Sequence, residues 1–323
     1  MIKVDVRRRL DPEMAAAVEE SRRLYAELAA VRGPVAADDL PGQRAAYNHE
    51  RAFWNAIKPE LASVEALEVR GRGGPVPCRL YRPSAQRPLP ATLYFHGGGW
   101  VLGNLDTHDR IMRLLARKSG AIVLGVDYRL APEHKFPAAY EDALAVLGHL
   151  AREGSALGID AARLAVAGDS AGANIALASC LSLDPAARRA IRLQLLYYGA
   201  FGLTDSASMR AFGSEIDGLS KADIDRFRAY LLRGPADLAD IRHDCLSGDL
   251  RGLPPAFIAA SALDPLLDDS RALAALLGEA GVAHELVIYD GVLHGFLHLS
   301  RMVTKAMQAL DAGAGALRKA FAC

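Results

Sequence analysis

The chain has 323 residues, and its 38 Lys+Arg balance 38 Asp+Glu, so it offers no net charge to a polyanion and nucleic-acid binding is not its main role. With 51% hydrophobic and 24% charged residues, it has the composition of a soluble globular protein, and its length suits two domains or one α/β core with a lid. The four cysteines, Cys78, Cys180, Cys245 and Cys323, show no C-x-x-C spacing, which argues against a disulfide framework or a zinc site. No apolar run approaches the ~18 residues that span a bilayer. The opening MIKVDVRRRL lacks the apolar core of a signal peptide, so a cytoplasmic protein without a membrane partner is expected. The run Arg7-Arg8-Arg9 reads as a solvated face.

Asp11-Pro12 reads as an N-cap followed by proline at the first helical position. Met14, Val18, Tyr25 and Leu28 then recur at helical spacing until Arg32-Gly33-Pro34 ends the helix. A second helix is expected to hold Tyr47, Trp54 and Ile57. Such apolar stripes need a surface to cover, so this segment is docked. Residues 64–70 and 76–81, separated by Gly71-Arg72-Gly73-Gly74, read as a β-hairpin. Strands follow at 91–95, 121–128, 163–168, 192–199, 255–261 and 284–290, interleaved with helical stretches. Near-continuous apolar strands alternating with helices indicate a mainly parallel sheet covered on both faces, made mixed by the antiparallel strands that lead into it.

The interval from about 202 to 252 is too long for a simple crossover and contains a helix pattern, SKADIDRFRAYLL (220–232). It reads as an insertion over one end of the sheet. The expectation is one domain over 1–323, with a cap built from about 1–60 and about 202–252. Ligands of open α/β sheets bind beyond the carboxyl ends of the strands, where such a cap would enclose a site.

Chemistry-bearing residues gather at those predicted strand ends. His96-Gly97-Gly98-Gly99-Trp100 follows the strand at 91–95, and Asp169-Ser170 follows the strand at 163–168. Asp264 follows the strand at 255–261, and His294 comes soon after the last strand. Gly168-Asp169-Ser170-Ala171-Gly172 fits G-x-S-x-G, in which a serine sits on a tight strand-to-helix turn. Locally, Ser170 reads equally well as a helix N-cap. The order Ser170, Asp264, His294 decides in favour of a nucleophile, because a hydroxyl needs an adjacent base and that base needs an orienting carboxylate. The amides of the glycine run and of Ala171 would supply donors to a developing oxyanion. The run carries neither GK[ST] nor G-x-G-x-x-G, so it is not read as a nucleotide cradle. Asp268 and Asp269 read as first-turn helix residues, Asp290 lies too near His294 in sequence, and His298 is the rival base.

The motifs HGGGW (96–100), YRLAPEHKFPAA (128–139), GDSAG (168–172), DPLLDD (264–269) and LHGF (293–296) resemble those of the bacterial hormone-sensitive-lipase-like esterases. The resemblance covers about residues 60–320 and reaches the stretch ERAFWNA (50–56). It implies the α/β-hydrolase fold with a helical cap, Ser170 as nucleophile, Asp264 as orienting acid and His294 as base. It further implies an oxyanion hole from the His96, Gly97, Gly98 and Gly99 loop with Ala171. Two departures stand out: Ala173 where the family usually has glycine, and YYG (197–199) without the proline of many members. In YRLAPEHKFPAA, Arg129 and Glu133 are read as holding a rigid loop and His134 as non-catalytic.

The expected function is a serine carboxylesterase for short, acetyl-type acyl esters, with Trp100 bounding the acyl pocket and no metal or cofactor. The expected partner is a small-molecule ester, and the expected state is a monomer or homodimer. An amidase or peptidase using the same triad, or a binding protein on a hydrolase scaffold, are the alternatives.

Overall fold

A computed structural model describes residues 5–36, 38–213 and 219–322. Eight strands form one sheet: β1 (Ser63–Gly71), β2 (Gly74–Arg82), β3 (Leu89–Phe95), β4 (Ile122–Val126), β5 (Ile159–Asp169), β6 (Ile191–Tyr197), β7 (Ala256–Leu263) and β8 (His284–Leu293). Their order is β1-β2-β4-β3-β5-β6-β7-β8. β2 runs antiparallel to both β1 and β4, and the remaining pairings are parallel. The sheet is therefore mixed, as the sequence predicts. Its hairpin is tighter than expected, because Gly71 pairs with Gly74 and only Arg72 and Gly73 form the turn.

The helices are α1 (Pro12–Arg32), α2 (Leu40–Asn55), α3 (Asp109–Ser119), α4 (Ala138–Glu153), α5 (Ala171–Ser182), α6 (Pro185–Arg188), α7 (Ala207–Ala211), α8 (Lys221–Leu231), α9 (Pro235–Leu238), α10 (Leu267–Glu279) and α11 (Thr304–Ala322). α4, α5 and α10 share one apolar core with one face of the sheet, while α3 and α11 share the other. All five residues of β4 are buried, which explains its uninterrupted apolar run.

α1 begins where expected: the Asp11 carboxylate accepts from the Glu13 amide at 3.0 Å, and Pro12 follows the cap. Met14, Ala17 and Leu24 make its buried face, whereas Tyr25 is exposed to solvent on one side. α2 holds Tyr47 and Trp54 but stops at Asn55, so Ile57 lies past the helix and is exposed, contrary to expectation. Within the insertion, Ser220 and Asp223 form a reciprocal capping box that starts α8.

The N-terminal segment is tied to the far end of the chain. The Asp11 amide donates to the Gly291 carbonyl at 2.8 Å, and Lys305 Nζ donates to the Asp11 carboxylate at 2.8 Å. Glu13 accepts from the Thr304 amide at 2.6 Å. Cys78, Cys180 and Cys245 are buried and unpaired, and Cys323 lies outside the described residues, as do residues 1–4. Among the described residues, no helix is long and apolar enough to cross a membrane.

Candidate active site

β5 delivers Ser170 to the start of α5 with φ 54° and ψ −120°, a conformation that L-residues rarely adopt. Its hydroxyl makes no cap bond to the helix. The turn is possible because glycines flank it: a Cβ on Gly172 would lie 1.9 Å from the Phe95 carbonyl oxygen, which backbone cannot yield.

β8 runs three residues beyond the expected strand and ends at Leu293, placing His294 opposite the serine. The Ser170 Oγ lies 2.9 Å from His294 Nε2, and His294 Nδ1 lies 2.8 Å from Asp264 Oδ2. Asp264 has no solvent exposure, and its Oδ1 accepts from the Leu266 amide at 2.8 Å. A buried carboxylate on Nδ1 favours the tautomer with its proton there, leaving the Nε2 lone pair for the serine hydroxyl. The Tyr198 ring meets the imidazole edge-on at 5.0 Å.

After β3 the backbone enters left-handed conformations, with φ 120° at Gly98, 62° at Gly99 and 61° at Trp100. Gly98 and Gly99 thereby line a cavity of about 820 Å³ together with Trp100, Ser170, Ala171 and His294. Gly97 and His96 do not belong to that wall. The Gly97 amide turns inward and donates to Asp169 Oδ1 at 3.0 Å, so it has no donor for a substrate oxygen. His96 is buried, with its ring stacked 4.3 Å from Tyr128 and its carbonyl accepting from the Tyr128 hydroxyl at 2.7 Å. Burial, with His108 nearby, pushes the His96 pKa down to about 3, so its ring is neutral. Residues of α1, α2 and α8 complete the cavity wall.

A model of the alpha/beta hydrolase fold family matches residues 92–298. The chain belongs to this α/β-hydrolase family. It is 44% identical over 280 residues to an acetyl esterase of Salmonella choleraesuis (strain SC-B67), covering 85% of this chain and 86% of the relative. Among solved structures, an esterase from Pyrobaculum calidifontis superposes with a TM-score of 0.87 at 35% identity, over 96% of this chain and 98% of that one. An ester hydrolase from the metagenome of Lake Arreo, complexed with a derivative of bipyridine phosphonate, gives a TM-score of 0.88 at 37% identity, over 97% and 100%.

In this α/β hydrolase, the residue before the serine organises the glycine loop. Asp169 is buried, and its Oδ1 accepts from the Tyr94 hydroxyl at 2.8 Å as well as from Gly97. Burial alone would raise its pKa, but the neighbouring His108 and the bonds from His108 and Tyr94 hold it below the ordinary value. Reading the sequence missed Asp169 and His108 as a pair, although a buried acid at a strand end needs a partner. The rival base, His298, packs edge-on to His108 at 4.4 Å and lies 4.0 Å from Asp169, and it is His294 that bonds the serine. His108, Asp169 and His298 are the set among the described residues close enough to hold a metal ion. Two of the three are engaged by the glycine loop, since the Gly97 amide points at both Asp169 and His108 Nε2.

The loop 128–139 is structural, as expected. Arg129 grips the Asp142 carboxylate with bonds of 2.8 to 3.0 Å, and Glu133 accepts from both Arg44 terminal nitrogens at 2.7 and 2.8 Å. His134 is exposed. Asp268 and Asp269 sit in the first turn of α10, where Asp269 Oδ1 accepts from the amides of Phe201, Gly202 and Leu203 at 2.7, 3.1 and 3.2 Å. Asp290 is exposed on β8. The two sequence departures are neighbours: a Cβ on Gly199 would meet the Phe201 ring at 2.3 Å and then the Ala173 methyl at 2.9 Å.

Proposed function

We propose that this carboxylic ester hydrolase works through Ser170, His294 and Asp264 as nucleophile, general base and orienting acid. The carrying observation is the unbroken Asp264–His294–Ser170 hydrogen-bond chain at 2.8 and 2.9 Å, opening onto a cavity lined by Gly98, Gly99 and Ala171. Ser170 Oγ attacks the ester carbonyl while His294 Nε2 takes its proton, and the amides of Gly98, Gly99 and Ala171 receive the negative charge on the carbonyl oxygen. Ala171 opens α5, so the positive end of the helix dipole adds to that stabilisation. Imidazolium His294, stabilised by Asp264, protonates the departing alcohol oxygen. The acyl-enzyme is then hydrolysed by a water that His294 deprotonates, and Ser170 is regenerated. Gly97 and His96 hold the loop rather than donate to substrate.

The favoured substrates are short acyl esters of the acetyl type. Trp100 and Phe227 bound the cavity near the glycine loop, and Phe227 presses so closely that a Cβ on Gly99 would lie 2.4 Å from its ring. α1, α2 and α8 serve as the cap. The partner is a small-molecule ester, met in the cytoplasm by a monomer or homodimer. Conversion of Ser170 to alanine tests the mechanism: hydrolysis of p-nitrophenyl acetate is expected to drop by at least ~10³-fold with the fold unchanged by circular dichroism. Retention of most activity would overturn it.

A further inference from the structure

Helix α2 turns a polar stripe to the cavity. Tyr47, Glu50 and Arg51, at helical spacing, all line it. A stripe that covers a core is ordinarily apolar. The insertion brings apolar Leu219, Ile224 and Phe227 to the cavity, together with the charged Asp223, Arg226 and Arg228.

The polar wall is built, not incidental. Glu50 is 2% exposed; its Oε1 accepts from Trp54 Nε1 and from Ser21 Oγ, each at 2.6 Å, and its Oε2 lies 2.9 Å from an Arg51 terminal nitrogen. The Arg51 guanidinium lies 4.7 Å above the centre of the Tyr47 ring. Side chains from two helices thus fix one guanidinium at the cavity wall. Packing does not require that arrangement, because apolar residues of equal volume would fill the space without desolvating two charges.

The position of this wall identifies the part of the substrate it meets. α2 packs on the turn Phe296–Leu299, which follows His294 almost directly. In the reaction proposed above, His294 protonates the leaving alcohol, so the α2 wall lies on the alcohol side. Its chemistry defines the alcohol. Glu50 neutralises Arg51, so the wall presents N–H donors without net positive charge, and a substrate carboxylate would lie against Glu50. Tyr25 and Tyr47, both lining the cavity, add two phenol hydroxyls, and Tyr25, whose ring does not carry the Arg51 guanidinium, adds an aromatic face that suits the C–H surface of a sugar ring. A cavity of about 820 Å³ holds such a ring beside a small acyl group.

We propose that the α2 wall is a leaving-group subsite for acylated polyhydroxy alcohols, the sugar-acetate class, with Arg51 as its specificity-determining residue. This rests on the ester-hydrolase reading above. The test compares kcat/KM for methyl 6-O-acetyl-glucoside with that for cyclohexylmethyl acetate, which shares the acyl group and ring size but lacks hydroxyls. In the wild type the ratio is expected to favour the sugar ester by ~10-fold or more, and in Glu50→Gln/Arg51→Met it is expected to fall by ~10-fold. Tyr25→Phe leaves the ion pair intact and is expected to lower the same ratio by a smaller factor, which keeps the test available if the double variant does not fold. A wild-type ratio near one, or variants that change both esters alike, overturns the subsite. Those outcomes with Ser170 still essential leave the esterase mechanism standing, whereas a dispensable Ser170 removes the mechanism itself.

Discussion

At the scale of single residues, the site is a set of local conformations that each look unfavourable alone. Ser170 holds a left-handed φ without capping the helix it begins, and Trp100 and Tyr198 also have positive φ. Such strain persists only where the surroundings enforce it, and here Gly172 lies too close to Phe95 for the elbow to relax. Asp264 is placed differently, because it is fully buried and meets the imidazole of His294 at Nδ1. Asp264→Asn is expected to lower kcat by ~10⁴-fold with little change in KM, since an amide in that place favours the wrong imidazole tautomer. A loss carried mainly by KM would count against that orienting role.

At the scale of elements, the α2 helix is held over the site by Arg44. It donates to Glu133 and to the carbonyls of Val101 and Ala131 at 2.9 and 2.8 Å, joining α2 to the glycine loop and to the loop after β4. The hydrogen bond from Arg44 lowers the Glu133 pKa to about 2 from 4.5. A depressed folded-state pKa means stability that is present above the unfolded value and lost as pH falls through the folded one. The Glu133 side chain is 54% exposed, so water screens the pair and its worth is ~0.5 kcal/mol. Arg44→Met is therefore expected to melt below the wild type. The gap should narrow between about pH 5 and pH 2 without closing, because the carbonyl bonds do not titrate. A gap independent of pH in thermal melts would dismiss the Glu133 contribution. The sequence made the strands legible because burial on both faces forces unbroken apolar runs, as in β4. It placed Ser170, Asp264 and His294 because strand ends in this architecture face one edge. It did not distinguish Gly97 from Gly98, since the acceptor that turns Gly97 inward lies 72 positions away. The end of α2 before Ile57 was equally hidden, because the Asn55 side chain there bonds the Thr107 carbonyl, another long-range partner.

At the scale of the whole molecule, the strand ends hold the hydrogen-bonded Asp264, His294 and Ser170, and residues of α1, α2 and α8 wall the cavity beside them. With Phe227 against Gly99 and Trp100 beside it, kcat/KM across p-nitrophenyl esters is expected to fall steeply once the acyl chain passes about six carbons. A flat or rising series would refute the short-acyl preference. The bonds joining Asp11 to Gly291 and Lys305 carry one more consequence, for the order in which the protein is made. Asp11 and Lys305 are 294 positions apart. During synthesis α1 leaves the ribosome long before β8 and the start of α11 exist to receive it. Until then α1 lacks the partners that Asp11 and Glu13 take, whereas those that Arg44 and Asn55 of α2 take, Val101, Thr107, Ala131 and Glu133, are already made. The contacts that tie α1 to the rest of the fold are therefore among the last that the growing chain can make.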